Sequence, residues 1–287
     1  MKAIVNLPGY QITEQLYVGT RTLVYRGIRT NDQHPVVIKI LRNSYPSFTE
    51  IVQFRNQYTL TKNLKFPSII QPLALEVYHN SYALVMEDFG GVSLSDYLNI
   101  ATNKSQGNKF LPVEFLQIAI QLTDILHYLY QNQIIHKDIK PANILINPNT
   151  QQIKLIDFSI SSLLPREIQE IQNPNLIEGT LAYISPEQTG RMNRGIDYRS
   201  DFYALGVTFY ELLTGKLPFI SDDPMELVHC HLAKQSIPIA LINPEIPLVL
   251  SEIVSKLMAK NAENRYQSPL GIKHDLERCL AQLKDTG

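Results

Sequence analysis

The sequence has almost no net charge, few cysteines and no long uncharged apolar run. Its 26 lysines and arginines balance 27 aspartates and glutamates, so charge gives no reason to expect nucleic acid or an anionic membrane as the main partner. Cys230 and Cys279 match no metal-ligand spacing and indicate two thiols in a reducing compartment. The N-terminal MKAIVNLPGY is too short for a signal peptide or a membrane span. These absences predict a cytoplasmic protein without a membrane span.

What the sequence does contain is a change of hydrophobic period near Gly90-Gly91. Strand-like runs lie at 10–19, 22–30, 35–41, 69–79 and 81–89, and helical spacing predicts one helix at 47–64. Beyond the two glycines, helices are predicted at Leu94–Ile100, Val113–Gln131, Asp201–Leu213, Pro224–Ala233, Pro247–Met258 and Gly271–Leu283.

A small sheet with one helix, followed by a larger helical body, predicts an α+β fold with two lobes. The pattern divides one domain, residues 1–285, into an N-lobe at about 10–88, a hinge at about 87–91 and a C-lobe at about 92–285.

One stretch stands out because polar residues interrupt an apolar run. In IIHKDIKPANILI, from Ile134 to Ile146, apolar residues flank a block that contains Asp138, Lys140 and Asn143. A solvated loop needs no apolar anchors of this kind. A site that must fix a carboxylate, an ammonium group and an amide close together does.

Two further charged residues lie at the ends of strand-like runs, and with this block they indicate phosphoryl transfer. VVIK ends at Lys39, and IKLIDF contains Asp157 near its end. Phosphoryl transfer needs a cation for the substrate phosphates, oxygen ligands for Mg²⁺ and a carboxylate that orients the attacking hydroxyl. A lone lysine at a strand end is usually solvated, but these residues in this order form a strong signal.

These motifs resemble a eukaryotic-type (Hanks-type) Ser/Thr protein kinase domain over nearly the whole chain. VVIK resembles V-A-I-K, which implies that Lys39 binds the α- and β-phosphates of ATP. HKDIKPAN resembles H-R-D-L-x-x-x-N, which implies Asp138 as the catalytic base and Asn143 as a metal ligand. By the same resemblance Lys140 neutralises the γ-phosphate. DFS resembles D-F-G, which implies Asp157 as a ligand of Mg²⁺.

The resemblance also implies supporting roles in the C-terminal part of the chain. GTLAYISPE resembles the stretch that ends in A-P-E, so Thr180 is expected to brace the catalytic loop. Glu187 of this stretch is expected to pair with Arg265 of NRY. Asp201, in YRSDFYALG, is expected to anchor the catalytic loop from a buried helix.

A nucleotide pocket is implied by the resemblance, with a reduced glycine loop. The three glycine positions of G-x-G-x-x-G hold Tyr17, Gly19 and Thr22, so only Gly19 keeps a permissive backbone. The other residues expected around ATP are Val24, Val37, Met86 and Leu145 as apolar walls, with Glu87 and Phe89 offering backbone groups at the hinge. Periodicity alone makes the four apolar residues ordinary core, and an ordinary hairpin is the alternative for the glycine loop.

Two departures from the family pattern bear on regulation. The glutamate that should pair with Lys39 falls on Gln57, which offers a hydrogen bond without a charge. Glu50, about two helical turns earlier, could replace it only if the helix shifts. Lys137 replaces an arginine that in the family often receives a phosphate, and no Ser, Thr or Tyr lies between Leu163 and Glu178. Activation by phosphorylation of that segment is therefore not expected.

Three functions remain open from the sequence. The first is an active kinase that phosphorylates a protein Ser or Thr with Mg-ATP, and the retained charged residues favour it. The second is a pseudokinase, a nucleotide-binding regulatory module, favoured by the poor glycine loop and Gln57. The third is a small-molecule kinase of the aminoglycoside type, against which GTLAYISPE and the helix of Asp201 argue.

A more specific resemblance concerns the context of the domain. TLVYRGIRT, FRNQY, MEDFGG and SPEQTGRMNR resemble the N-terminal kinase domains of large bacterial hybrids, typical of cyanobacteria. Those chains continue into an ATPase-like region and a sensor histidine kinase. The resemblance implies a domain excised from such a chain, with these downstream domains as partners beside a protein substrate in signal transduction.

Overall fold

A computed structural model of the chain describes residues 5–102, 110–164, 179–192 and 194–286. Contacts divide the chain into two units. The first contains Met1–Gly91 and Ile156–Ser159, and the second contains Val92–Leu155 and Ile160–Gly287. Asp157 therefore belongs to the first unit, although it lies far along the chain from the rest of it.

The first unit is built on a five-stranded antiparallel sheet with the order β1-β2-β3-β5-β4. Its elements are β1 (Tyr10–Val18), β2 (Thr22–Arg29), β3 (His34–Leu41), α1 (Phe48–Thr61), β4 (Pro72–Tyr78) and β5 (Ser81–Glu87). Successive side chains of a strand point to opposite faces of a sheet, so the two faces can differ in character.

One face of this sheet carries the core of the unit. It consists of Tyr25, Val36, Ile38, Ile40, Ala83 and Val85, which cluster with Val5 and Leu7. The alternate residues face the other way, and register pairs Val24 with Lys39 and Val37 with Met86. Strand alternation thus puts three apolar residues and a lysine on the face opposite to the core.

Helix α1 begins at a capping box. The Ser47 hydroxyl accepts from the Glu50 amide, and the Ser47 amide donates to the Glu50 carboxylate at 2.8 Å. The Glu50 side chain is therefore used in the cap at the start of the helix. Phe54, Gln57 and Thr61 form the buried stripe of the helix, and this spacing brings Gln57 to the inward side.

The second unit is mainly helical. Its helices are α2 (Leu94–Thr102), α3 (Pro112–Gln131), α4 (Arg199–Thr214), α5 (Pro224–Ala233), α6 (Ile239–Ile242), α7 (Leu248–Leu257) and α8 (Pro269–Thr286). Short strands form two small sheets, β6-β8-β9 and β7-β10, from β6 (Val92–Ser93), β7 (Ile134–Ile135), β8 (Ile144–Ile146), β9 (Ile153–Leu155) and β10 (Ser162–Leu163). Helix α4 is buried along nearly its whole length.

The predicted α+β fold is confirmed: a β-sheet region precedes a helical region. The predicted strands of the first sheet and the seven predicted helices all form, and their ends move by up to three residues. Helix α6 and the two-residue strands β6, β7 and β10 were not predicted, because elements so short carry no readable period. No helix within the described ranges is long and apolar enough to cross a membrane.

Candidate active site

The first unit brings Lys39, Asp157 and Gln57 together. Lys39 Nζ lies 2.9 Å from Asp157 Oδ2 and donates to Gln57 Oε1 at 3.1 Å. Both Lys39 and Gln57 are buried. The interpretation of Gln57 as the partner of Lys39 agrees with this contact, whereas Glu50 is used in the helix cap. Because the Gln57 amide is neutral, Asp157 is the carboxylate that balances the lysine charge.

The segment around Asp157 is held by its backbone as well. Asp157 has φ +64°, in the left-handed region that non-glycine residues rarely adopt. Two residues later the Ser159 carbonyl accepts a hydrogen bond from Asn56 Nδ2, 3.3 Å away, on helix α1. Asn56 was missed by the sequence reasoning, because a contact to a backbone carbonyl 103 residues along the chain leaves no sequence signal.

The face of the sheet that carries Lys39 also carries apolar side chains. Val24 and Val37 are half-buried there, and Met86 is buried. Gln57 Nε2 lies 3.8 Å from the Met86 sulfur, so the amide is fixed at both ends, by Lys39 and by Met86. The predicted wall residues Val24, Val37 and Met86 thus adjoin Lys39 in the same unit.

The glycine loop between β1 and β2 is a closed turn. Gly19 donates its N–H to the Thr22 carbonyl at 2.9 Å, and its own carbonyl accepts from Arg42 Nη1 at 3.1 Å. The Tyr17 ring covers Gly19, and a Cβ added to Gly19 would lie 2.6 Å from Tyr17 Cε1. The one retained glycine therefore lets a neighbouring ring approach closely, and its amide already has an acceptor.

The segment after β5 is tied to neighbouring elements. Glu87 donates its N–H to the Gln71 carbonyl and accepts the Gln71 N–H on its side chain, at 3.0 and 2.8 Å. The Glu87 amide is thus used within the unit, and the expectation that Glu87 offers a backbone group to the nucleotide stays a prediction. Asp88 accepts from Arg26 Nε at 2.7 Å and from the Gly90 amide at 2.9 Å. Phe89 lies half-buried between these residues.

In the second unit, the polar block of residues 136–143 is anchored by buried apolar ends. Ile134 and Ile135 precede it, Ile144 and Ile146 follow it, and all four are buried. Ile139, inside the block, is buried as well. Pro141–Asn143 forms a 3-10 turn that bends the block back on itself. The anchoring that the alternation of apolar and polar residues predicted is present.

Asp138 is the centre of a dense polar cluster. Its Oδ2 lies 2.7 Å from Lys140 Nζ and accepts from Asn143 Nδ2 at 2.8 Å. Its Oδ1 accepts from the Thr180 N–H at 3.1 Å and from the Thr180 hydroxyl at 2.9 Å. Lys140 also donates to the Thr180 hydroxyl. Four donors therefore fix the carboxylate in one orientation.

Asn143 has the donor chemistry of a Mg²⁺ ligand. Its amide nitrogen donates to the backbone carbonyl and the carboxylate of Asp138, both at 2.8 Å. This fixes the side-chain flip, so that the oxygen of Asn143 is directed away from Asp138. Amide and carboxylate oxygens are ligands that Mg²⁺ prefers, and in the first unit the Asp157 carboxylate offers the same chemistry. Leu145, the remaining predicted wall residue, is half-buried in β8.

Asp201 anchors the start of the polar block. Its carboxylate accepts from the backbone N–H groups of His136 and Lys137, both at 2.8 Å. Asp201 is buried in α4, and Lys137 has φ +70°. The carboxylate therefore fixes a backbone conformation that is otherwise unfavourable.

A buried ion pair supports the segment that carries Thr180. Arg265 Nη1 lies 2.6 Å from Glu187 Oε1, and both side chains are almost fully buried. Burial alone would raise the pKa of Glu187, but the hydrogen bonds and charge of Arg265 outweigh it and lower the pKa. Gln188, which the sequence reasoning missed, donates to the Lys137 carbonyl at 2.9 Å and so links this segment to the polar block of residues 136–143. Residues 165–178, where no phosphorylation switch is expected, lie outside the described residues.

The two groups of residues define a class of protein, a phosphotransferase of the kinase type. The comparisons with known proteins name the family. A model described as protein kinase domain matches residues 10–276, and the chain therefore belongs to the protein kinase family. Members of this family generally use ATP and Mg²⁺. The expected resemblance to Hanks-type kinases is confirmed.

Three relatives illustrate the match. The probable serine/threonine-protein kinase CPE1738 of Clostridium perfringens is 32% identical, over 94% of this chain and 38% of that protein. Serine/threonine-protein kinase PrkC of Bacillus subtilis is also 32% identical, over 94% of this chain and 40% of its own length. Hybrid signal transduction histidine kinase G of Dictyostelium discoideum is 36% identical, over 59% of this chain and 7% of its own length. The chain thus spans about two fifths of the bacterial relatives.

Proposed function

We propose that this chain is a protein serine/threonine kinase, which transfers the γ-phosphoryl group of Mg-ATP to a Ser or Thr hydroxyl of a protein. The observation that supports this most strongly is the cluster at Asp138. A carboxylate with four donors, a lysine at 2.7 Å and an amide fixed beside it match the needs of a base that orients a hydroxyl. Relatives named as serine/threonine-protein kinases support the same substrate class.

In this proposal each residue of the second unit has one task. The substrate hydroxyl oxygen forms a bond to the γ-phosphorus, and the bond from that phosphorus to the β,γ-bridging oxygen breaks, which releases ADP. Asp138 accepts the hydroxyl proton. Lys140 neutralises charge on the γ-phosphoryl oxygens, and Thr180 holds both side chains in place.

The first unit supplies nucleotide-binding groups. Lys39 binds the α- and β-phosphates, while Asp157 and Asn143 are the residues that would hold Mg²⁺. When bound, Mg²⁺ neutralises negative charge on the phosphates. Val24, Val37, Met86 and Leu145 form the apolar walls for adenine, and Glu87 and Phe89 offer backbone groups. Gly19 contributes the turn between β1 and β2.

The test separates binding from transfer. ATP binding and autophosphorylation, or phosphorylation of a generic protein substrate, are measured with and without Mg²⁺ for the wild type. Asp138→Asn keeps the size of the side chain, and it should abolish transfer while binding of Mg-ATP stays close to normal. Asp157→Asn should weaken Mg-ATP binding itself. Wild-type turnover in the Asp138 variant would refute the assignment of the base.

A second candidate is a nucleotide-binding regulatory module without transfer activity. The observations that favour it are the Tyr17 ring over Gly19 and the neutral Gln57 beside Lys39. Both features would weaken the binding of the nucleotide phosphates, while the apolar residues expected around adenine are retained. The same experiment distinguishes the two candidates, because the module binds Mg-ATP but incorporates no phosphate in any variant.

The wider context is also a proposal. The match to a hybrid signal transduction histidine kinase supports a longer chain in which a histidine kinase domain acts with this one in signal transduction. The ATPase-like region between them rests on the resemblance of the sequence motifs alone. The identity of the protein substrate belongs to the same question. Comparison of the isolated chain with a full-length protein would test whether neighbouring domains raise its activity.

A further inference from the structure

Helix α1 carries two adjacent amide side chains, Asn56 and Gln57, and contacts lead from each of them to the segment that contains Asp157. Gln57 accepts from Lys39 Nζ, and Lys39 pairs with the Asp157 carboxylate at 2.9 Å. Asn56 donates to the backbone carbonyl of Ser159 at 3.3 Å. Asp157 is therefore held through its side chain by Lys39, and through the backbone two residues later by Asn56.

The backbone conformation of Asp157 requires such support. Its φ of +64° lies in the left-handed region, which is unfavourable for an L-residue relative to ordinary conformations. A residue keeps such a conformation when its surroundings fix it. The direction of the carboxylate follows from this backbone angle, so any contact that fixes the backbone also aims the carboxylate oxygens.

We propose that Asn56 is a positioning residue that preorganises Asp157 for Mg²⁺. The Asn56 side chain fixes the backbone after Asp157, and this reduces the reorganisation that metal binding would otherwise require. The inference rests on the proposed function for the role of Asp157 toward Mg-ATP. It does not depend on phosphoryl transfer, since preorganisation acts on binding.

The contact requires a donor on the side chain, which makes it testable by small substitutions. The partner is a carbonyl oxygen, so Asn56 must contribute its N–H group. An ionised aspartate has the same shape but only acceptors, and a leucine has neither. A histidine carries an Nδ1 at the position of the amide nitrogen and can donate from it. The expected order of function is Asn, then His, with Leu and Asp last.

The experiment measures the Mg²⁺ dependence of ATP binding in the whole chain. The Mg²⁺ concentration for half-maximal ATP binding is measured with a fluorescent ATP analogue for the wild type, N56H, N56L and N56D. The matched control is T59A, an exposed position on the same helix. ATP binding without Mg²⁺ and the midpoint of thermal unfolding are recorded for each protein.

The expected result is a rise of about tenfold in the half-saturating Mg²⁺ concentration for N56L and N56D, the size of one lost hydrogen bond. The half-saturating Mg²⁺ concentration of N56H should lie close to the wild-type value, and that of T59A should equal the wild-type value. If N56L and N56D keep the wild-type Mg²⁺ dependence, the inference is wrong. It is equally wrong if both variants lose Mg²⁺-free ATP binding and thermal stability in proportion, because the role is then structural.

Failure of the proposed function gives a different result. A wild-type chain that binds Mg-ATP without transferring phosphate refutes the kinase proposal, and the Mg²⁺ shift in the Asn56 variants still tests the positioning role. A wild-type chain that binds no Mg-ATP overturns both.

Discussion

Arg265 donates two parallel hydrogen bonds to Glu187, at 2.6 and 2.8 Å, and its other three N–H groups all reach backbone carbonyls. Ser200 donates a further hydrogen bond to the same carboxylate at 2.6 Å. Every donor of the guanidinium is used, which only the planar fork of an arginine can achieve. The pair therefore fixes the segment before α4 relative to the segment before α8, and it makes a strong prediction about stability.

Arg265→Met should destabilise the chain by about 3–5 kcal/mol, because Glu187 is left buried without its cation. Urea unfolding followed by fluorescence or circular dichroism measures the change. The matched control is Glu263→Gln, which removes an exposed partner of Arg194 and should destabilise the chain far less, because solvent screens an exposed ion pair. Equal losses for the two variants would contradict a special role for the buried pair.

The same pair predicts a dependence on pH. The pKa of Glu187 in the folded state lies below its ordinary value of 4.5. A carboxyl with a lowered pKa contributes stability above the unfolded pKa, and that contribution is lost as pH falls through the folded pKa. The difference in unfolding free energy between the wild type and Glu187→Gln should therefore shrink below about pH 4.5 and stay constant above about pH 6.

Much of this arrangement could be predicted from the sequence, for identifiable reasons. The long strands and helices have clear hydrophobic periods. The polar block between Ile134 and Ile146 interrupts an apolar run, and this interruption marks it as a candidate site. The position of Gln57 came from a family pattern, and so did the pairing of Glu187 with Arg265. These features depend on local spacing or on residues whose types are diagnostic.

Other parts could not be predicted, because they depend on contacts between distant backbones. Asn56 binds a carbonyl, which every residue possesses, so nothing in the sequence marks Ser159 as its partner. The use of the Glu87 amide by Gln71 has the same character. The Tyr17 ring over Gly19 depends on a rotamer, which a single sequence does not specify.

Thr180→Val should lower turnover by ten- to a hundredfold, the size of a hydrogen bond to a charged group. Valine keeps the shape and the backbone N–H that reaches Asp138, but it loses the hydroxyl between Asp138 and Lys140. ATP affinity should change by less than about twofold, since neither contact is assigned to the nucleotide base. Thr180→Ser keeps the hydroxyl and serves as control. Wild-type turnover in Thr180→Val would show that the hydroxyl is dispensable.

His231 should make the chain sensitive to mild acid. It is fully buried in α5, with the Tyr203 hydroxyl 3.0 Å from its Nδ1. Burial, together with the charge of Lys260, lowers the pKa of His231 from 6.5 to about 4. The folded state then binds fewer protons than the unfolded state between these values. The contribution of neutral His231 to the free energy of unfolding is therefore complete above about pH 6.5, and roughly 3 kcal/mol of it is lost as the pH falls toward 4.

His231→Gln removes this titration, so the loss of unfolding free energy between pH 6.5 and pH 4 should be smaller than in the wild type by roughly 3 kcal/mol. His229→Gln, an exposed neighbour on the same helix, is the control and should leave the slope unchanged. Identical slopes for the wild type and His231→Gln would exclude His231 as the source of acid sensitivity.

Gly19→Ala should have only a small effect on ATP affinity, although Gly19 lies at a position where the family pattern has a glycine. The new methyl group would meet the Tyr17 ring at 2.6 Å, but that ring is 58% exposed and can rotate away. The Gly19 N–H already donates to Thr22, so no amide aimed at phosphate is lost. ATP affinity should fall by less than about threefold, and Tyr17→Ala combined with Gly19→Ala should return it to that of Tyr17→Ala alone. A loss above tenfold in Gly19→Ala would instead mean that the turn opens when nucleotide binds and that Gly19 then approaches the phosphates directly.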